Sequence, residues 1–192
     1  MRRRRVPRGV PMADLPPLYI LRHGQTVWNV AGRMQGTLDS DLTALGRVQA
    51  ARQGAILRRA APSGSVARVS PRGRAVATAR LAGLDASEDA RLAEIDMGAW
   101  QGRLARDVGG GAGVLWKFAA PAAESPDALM RRVTGLLDDL RGRGPTILVT
   151  HGVVAIALRA RLAGRGIPDW DRIDDPQGVV IRVAEGRETV LT

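Results

Sequence analysis

Two histidines are the only imidazoles in this 192-residue chain, and both occupy the same setting: LYILRHG carries His23 before Gly24, and TILVTHG carries His151 before Gly152. A short apolar run bounded by polar residues reads as a buried strand, which places each imidazole just past a strand's carboxyl end. In open α/β sheets that rim is where ligands bind. The glycine after each histidine admits close backbone approach, and the apolar stretch after His151, VVAIALRARLAG, starts a helix whose first N–H groups attract an anion. Arg22, directly before His23, adds a fixed charge and a forked donor set suited to phosphate. The pairing points to a site for a phosphate-like anion.

Composition narrows the classes. With 45% hydrophobic residues and repeated apolar segments, the chain suits one α/β unit with a full core. It has no cysteine, which excludes disulfides, thiolate metal sites and cysteine nucleophiles, and two histidines make no histidine-rich metal site. No metal and no cofactor are expected. The formal charge of +10 would ordinarily indicate nucleic acid or a membrane surface, but Arg2, Arg3, Arg4, Arg5 and Arg8 supply half of it. Lys117 is the only lysine, and so arginine-heavy a composition reads as coding bias before it reads as a binding surface. Aromatic content of 3% leaves little for bases to stack on. No nucleic-acid partner is expected.

The opening MRRRRVPRGVP reads as a disordered tail, or as upstream sequence before a start at Met12, so residues 1–14 are set apart and residues 15–192 are taken as one domain. Nothing matches a secretory signal or a membrane span of about 18 apolar residues. A cytoplasmic protein acting on a small metabolite, with no membrane partner, is expected. The oligomeric state is not legible.

The elements that position the histidines follow from pattern. After the strand LYIL comes a polar loop, RHGQTVWNVAGRMQGTLDSD, too irregular for an element. LTALGRVQAARQGAILRRA reads as a helix capped by Thr43, with Leu45, Val48, Ala55 and Ile56 at helical spacing and Pro62 beyond its end. VARVS reads as a strand, and RAVATARLA as a helix with Arg74 near its start. RLAEIDMGAWQG places Glu94 at the end of a short extended stretch, and the glycines of DVGGGAGVLW read as a flexible linker rather than a nucleotide cradle. SPDALMRRVTGLLDDLRGRG is the clearest amphipathic helix, with Leu129, Val133, Leu136, Leu137 and Leu140 on one face. TILVT is a strand, VVAIALRARLAG a helix, and GVVIRVAEGRETVLT a hairpin turning at Glu185 and Gly186. Strands alternating with helices give a three-layer α/β/α architecture, a mostly parallel central sheet with helices on both faces.

Read together, these segments resemble the histidine phosphatase superfamily, whose fold is that of the phosphoglycerate mutases. The likeness spans most of residues 18–192. LYILRHGQTVWN resembles the family's nucleophile motif and MQGTLDSDLTALGRVQA the stretch that follows it, while SPRGRAVATA resembles the motif holding a second phosphate-binding arginine. EIDMGAWQG is similar to the segment bearing the acid, and LVTHGVVAIALRA to the second-histidine motif.

The resemblance implies a metal-independent phosphomonoesterase of the small phosphatase branch. His23 would attack phosphorus, Arg22, Arg74 and His151 would clamp the phosphoryl oxygens, and Glu94 would serve as general acid and then base. Asn29 would add a neutral hydrogen bond, and Gln35, Gly36 and the Gly152 backbone would line the pocket. Trp28, Trp100 and Trp116 are expected in core or rim packing. Two positions depart from the usual pattern: Arg72 stands where an apolar residue is common, and AAES at 122–125 replaces a Gly-Gly-Glu-Ser stretch, which puts substrate contacts from Glu124 and Ser125 in doubt. The short interval between Glu94 and His151 favours hydrolysis over the mutase reaction, because the family's mutases carry a longer insertion there that covers the site. Specificity is expected in the loops at 31–40 and 108–125. Phosphoglycerate-mutase-type transfer, a non-enzymatic phosphate-sensing or protein-binding role, and an arginine-rich nucleic-acid binder are the rival readings.

Overall fold

The computed structural model describes residues 14–192. The basic segment set apart at 1–14 lies outside the described residues except for Asp14, whose carbonyl accepts from the Gly142 amide at 3.0 Å. Six strands, β1 (Leu18–Arg22), β2 (Val66–Val69), β3 (Ala86–Glu88), β4 (Thr146–Thr150), β5 (Val180–Ala184) and β6 (Arg187–Leu191), form one sheet in the order β3-β2-β4-β1-β5-β6. The first four in that order run parallel, and β5 and β6 join antiparallel. The final hairpin turns at Glu185 (φ 51°) and Gly186 (φ 73°), two successive left-handed residues of the kind a tight hairpin turn requires.

Both central strands are short apolar runs covered on both faces, the pattern of a parallel sheet between helical layers. Leu18 and Ile20 of β1 face one layer, with Leu148, and Tyr19 and Leu21 face the other, with Ile147 and Val149. On the first side pack α4 (Pro126–Asp139) and α5 (Gly152–Leu162), through Leu129, Val133, Leu136, Leu137 and nearly every residue of α5. On the second pack α2 (Ala44–Ala60) and α3 (Gly73–Leu81), through Ile56, Leu57, Ala75 and Ala79. All five apolar residues expected on the inner face of α4 are buried.

The structure corrects four readings. The loop after β1 contains a one-turn helix, α1 (Val27–Val30), too short to show a period and made by a capping box: Thr26 accepts from the Asn29 amide, and Asn29 Oδ1 accepts from the Thr26 amide. Leu45 and Val48 of α2 face outward, at 51% and 64% exposure. The packed face of that helix joins Ile56 and Leu57 to a row of small residues, where backbones meet so closely that a Cβ on Gly54 would lie 2.3 Å from the Ala82 carbonyl oxygen. Glu94 follows a short 3-10 helix, Ala90–Leu92, rather than an extended stretch, and β3 is an edge strand too polar to announce itself. The glycine-rich segment carries two further 3-10 helices, Ala105–Val108 and Leu115–Ala119.

Candidate active site

The parallel register of β1 and β4 pairs Arg22 with Thr150, so the next residue of each strand, His23 and His151, emerges at the same edge. The His23 amide donates to the Thr150 carbonyl at 2.9 Å, and the two imidazole rings stand 5.1 Å apart between centroids, tilted by 58°. Both are buried, at 2% and 0% exposure.

A hydrogen bond assigns the proton on His23. His23 Nδ1 lies 2.8 Å from the Gly24 carbonyl, which only accepts, so Nδ1 carries the hydrogen and Nε2 keeps its lone pair. His151 Nε2 lies 2.7 Å from Ser70 Oγ, and Ser70 Oγ already accepts from the Arg72 amide at 3.2 Å. The other ring nitrogen of His151, Nδ1, is buried with no partner. Burial, reinforced by the Arg22 and Arg74 charges, holds His23 well below the ordinary imidazole value, against an opposing pull from the Gly24 carbonyl. Burial, then the Arg74 charge, lowers His151 likewise, with smaller contributions from His23, Arg22 and Arg72. Both rings are neutral at pH 7.

The arginines are held from behind. Arg22 Nη1 donates to the Asp175 carboxylate, and also to its carbonyl at 3.2 Å. Gly152 makes room for this pair, since a Cβ there would lie 2.4 Å from Asp175 Oδ2 and 3.5 Å from Arg22 Cζ. Burial raises the Asp175 carboxyl above its usual range and outweighs the Arg22 charge. Arg74, on the first turn of α3, donates through Nη1 to the Leu38 carbonyl and the Asp39 carboxylate, each at 2.7 Å, and through Nη2 to the Gly36 carbonyl at 2.9 Å. Burial lowers its pKa, opposed by Glu94 and Asp39. In both guanidinium groups Nε is buried and unpartnered, as is Nε of Arg72 at the N-cap of α3. Arg72, the departure from the family pattern, is thus a member of the cluster, its charge felt by His151 and Arg74.

Glu94 is 9% exposed, and its Oε1 accepts from the Ile95 amide at 3.1 Å. It stands within electrostatic reach of Arg74. Flanking Leu92 and Ile95 are wholly buried, and Thr150 Oγ1 donates to the Leu92 carbonyl at 2.7 Å, tying the acid's segment to the strand that ends at His151.

The remaining expectations divide. Asn29 Oδ1 is taken by the Thr26 amide and by Gln177 Nε2 at 3.4 Å, leaving its NH₂ group as the available donor. Gln35 is buried, donating to Thr26 Oγ1 at 2.9 Å, with Oε1 unpartnered. Gly36 serves through its carbonyl on Arg74. Glu124 grips Arg132 at 2.8 and 2.9 Å and Ser125 caps α4, which gives both residues work away from the pocket. Trp100 and Trp116 pack together at 5.8 Å, and Arg33 lies over Trp28 at 5.5 Å.

Sequence reading missed Ser70, Asp39, Asp175 and Gln177. Ser70 directly follows β2, so the strand-end rule that marked the histidines applies to it too. Gln177 donates to the His23 carbonyl at 3.1 Å from an irregular segment that offers no periodic signal.

Neutral imidazoles and guanidinium groups gathered at the carboxyl ends of parallel strands define a protein that handles phosphoryl groups. Residues 18–191 match the family model for the histidine phosphatase superfamily, branch 1. The chain belongs to that family. A glucosyl-3-phosphoglycerate phosphatase of Mycolicibacterium vanbaalenii is 34% identical over 172 residues, covering 80% of this chain and 76% of the relative. A probable phosphoglycerate mutase of Salmonella paratyphi C is 34% identical over 170 residues, covering 80% and 76%. The solved structure of an open reading frame of Mycobacterium tuberculosis superposes with a TM-score of 0.78 at 28% identity, covering 91% of this chain and 95% of that one. The three-layer fold expected from sequence is the one observed.

Proposed function

We infer that this chain hydrolyses a small phosphomonoester through a phosphohistidine on His23. One observation carries the reading: Nε of Arg22, of Arg72 and of Arg74 are buried N–H groups without partners, Nδ1 of His151 is likewise buried and unpartnered, and the three arginines and His23 all lie within electrostatic reach of the His151 ring. A buried unsatisfied donor costs about 1–3 kcal/mol. Several together on one pocket call for a ligand with several acceptor oxygens, and a phosphoryl group supplies them.

The steps follow from the groups present. His23 Nε2 attacks phosphorus, the bond to the ester oxygen breaks, and Glu94 gives its proton to that oxygen. The clamp meets the charge spread over the phosphoryl oxygens, where such stabilisation is largest. Water then attacks the phosphohistidine, Glu94 takes back a proton, and the P–N bond breaks to release inorganic phosphate and neutral His23. The arginines have a double effect: they hold the anion and also keep the nucleophile unprotonated.

Hydrolysis is favoured over transfer back to an alcohol because the span from Glu94 to His151 is short and carries only three 3-10 helices, α4 and β4, with no added domain-sized cover. The test is phosphate release from a panel of phosphorylated metabolites, with acid quench to trap the phosphorylated enzyme. Wild type is expected to release phosphate, and His23→Ala to lose more than about 10³-fold in rate, as nucleophile removal does elsewhere. Isomerisation of 3-phosphoglycerate outpacing phosphate release from every monoester would reverse the reading in favour of a mutase.

A further inference from the structure

One side of α2 carries Thr43 at its N-cap and then Gly46, Gln49 and Gln53, three or four residues apart and so on one face. Each of the four meets the chain between Arg22 and Gln25. Gln53 Nε2 donates to the Arg22 carbonyl at 3.0 Å, and the Gln25 carbonyl accepts from the Thr43 amide at 2.9 Å. Gly46 lies so near that a Cβ on Gly24 would stand 2.2 Å from its carbonyl oxygen. Gln49 is half-buried, and its Oε1 accepts from the Gln25 amide at 2.8 Å. The stem of Gln49 is packed from the other side by Gly178, where a Cβ would lie 3.0 Å from Gln49 Cγ.

These contacts complete a set around Gly24, whose backbone is otherwise the freest of any residue. All four polar groups of the two peptide groups flanking it are bonded to side chains. The His23 carbonyl accepts from Gln177 Nε2 at 3.1 Å, and the Gly24 amide donates to Thr78 Oγ1 at 3.0 Å. The Gly24 carbonyl accepts from His23 Nδ1 at 2.8 Å, and the amide at the other end of that same peptide group is the one held by Gln49. A peptide group is a rigid plane, so gripping its N–H fixes where its C=O points. Gln49 therefore holds the carbonyl that sets the proton on His23.

We propose that Gln49 is a positioning residue for phosphoryl transfer: through the Gly24–Gln25 peptide group it keeps the His23 hydrogen on Nδ1 and the Nε2 lone pair free for phosphorus. The assignment rests on the phosphohistidine reading, in which Nε2 is the attacking atom. Without the acceptor on Gln49 the peptide group turns, its carbonyl leaves Nδ1, and the ring hydrogen passes to Nε2, where it blocks attack.

The test compares wild type with Q49M, which keeps the length of the side chain and removes the acceptor, and Q49E, which keeps an acceptor oxygen. Ring-nitrogen chemical shifts at pH 7.5 report the tautomer, and rapid acid quench with p-nitrophenyl phosphate gives the rate of phosphohistidine formation. Wild type is expected to carry the His23 hydrogen on Nδ1. Q49M is expected to show it on Nε2 and to form the phosphohistidine about 10- to 100-fold more slowly, the scale for a reacting group displaced by up to about 1 Å, with KM within about 3-fold of wild type. Q49E is expected to recover most of the rate and the wild-type shifts. The His151 ring, bonded to Ser70, is the internal reference in the same spectra. Wild-type shifts and rate in Q49M overturn the assignment and leave the phosphatase reading in place. An equal loss in Q49M and Q49E, or His151 shifts that move along with those of His23, reduces Gln49 to packing and overturns it too. If wild type releases no phosphate and His23 is never phosphorylated, the phosphatase reading falls and takes the assignment with it.

Discussion

Ser70 Oγ joins the Arg72 amide, at 3.2 Å, to His151 Nε2, at 2.7 Å, and so ties the second imidazole to the start of α3. The serine is expected to direct its hydroxyl hydrogen at Nε2, which keeps the ring hydrogen on Nδ1, where it meets the bound anion without adding a titrating charge. Removing it leaves Nε2 buried without a partner and frees the ring to move its proton there. Ser70→Ala is therefore expected to cost about 1–3 kcal/mol of stability and to lower kcat/KM by about 10²-fold, the penalty for one misdirected donor to transition-state charge. Nitrogen chemical shifts of the His151 ring, compared between wild type and variant, report the tautomer directly. Wild-type turnover in Ser70→Ala, with the same ring shifts, would show that another group fixes the proton. The reciprocal logic holds at Gly152, where the missing side chain is the functional feature: the Arg22 to Asp175 pair fills the space a Cβ would take.

At the scale of elements, legibility tracked how each one buries its surface. α4 packs a broad apolar stripe on the sheet, so its period was readable and Leu136, wholly buried, was placed correctly. α2 packs through Ile56 and Leu57 and also through glycine, alanine and a buried Gln53, whose Nε2 donates to the Arg22 and Val179 carbonyls at 3.0 Å, and so Ile56 was placed correctly while Leu45 and Val48 misled. α1 is a single turn fixed by its own capping box, too short to show a period, and β3 is three residues at the sheet's edge, held by its pairing with β2. The contrast is measurable. Leu136→Ala is expected to destabilise by about 2–5 kcal/mol, the range for a cavity in a closed core, and Val48→Ala to stay within about 0.5 kcal/mol. In a chain of this length each kcal/mol shifts Tm by about 2–4 °C, so thermal melts of the two variants separate clearly. The site was legible for the same reason as α4: His23, Arg22, Arg74 and His151 each sit where a strand ends or a helix starts. Their supports, Asp39, Asp175 and Gln177, lie in irregular segments and meet the site only through tertiary structure.

The whole molecule stakes part of its stability on keeping two imidazoles neutral. An unfolded chain protonates both near the ordinary value of about 6.5, while the folded chain resists, since burial and the arginine charges hold both rings well below it. Between those values the unfolded state binds more protons, so stability is complete above about pH 6.5 and falls as the pH drops. Each histidine is expected to lower stability between pH 7.5 and pH 5.5, by at most about 1 kcal/mol per pH unit below 6.5. Carboxylates do not produce this loss in the same window: Asp89, held at about 2 chiefly by its hydrogen bond to Arg91, gives up its contribution only in stronger acid. Asp175, raised by burial, works in the opposite sense. Urea unfolding at pH 7.5 and 5.5 measures the difference, and His151→Gln should remove roughly half of it. Stability that holds level between those two pH values would mean that the folded pocket accepts the protons, and an imidazolium at position 23 has no lone pair with which to attack phosphorus.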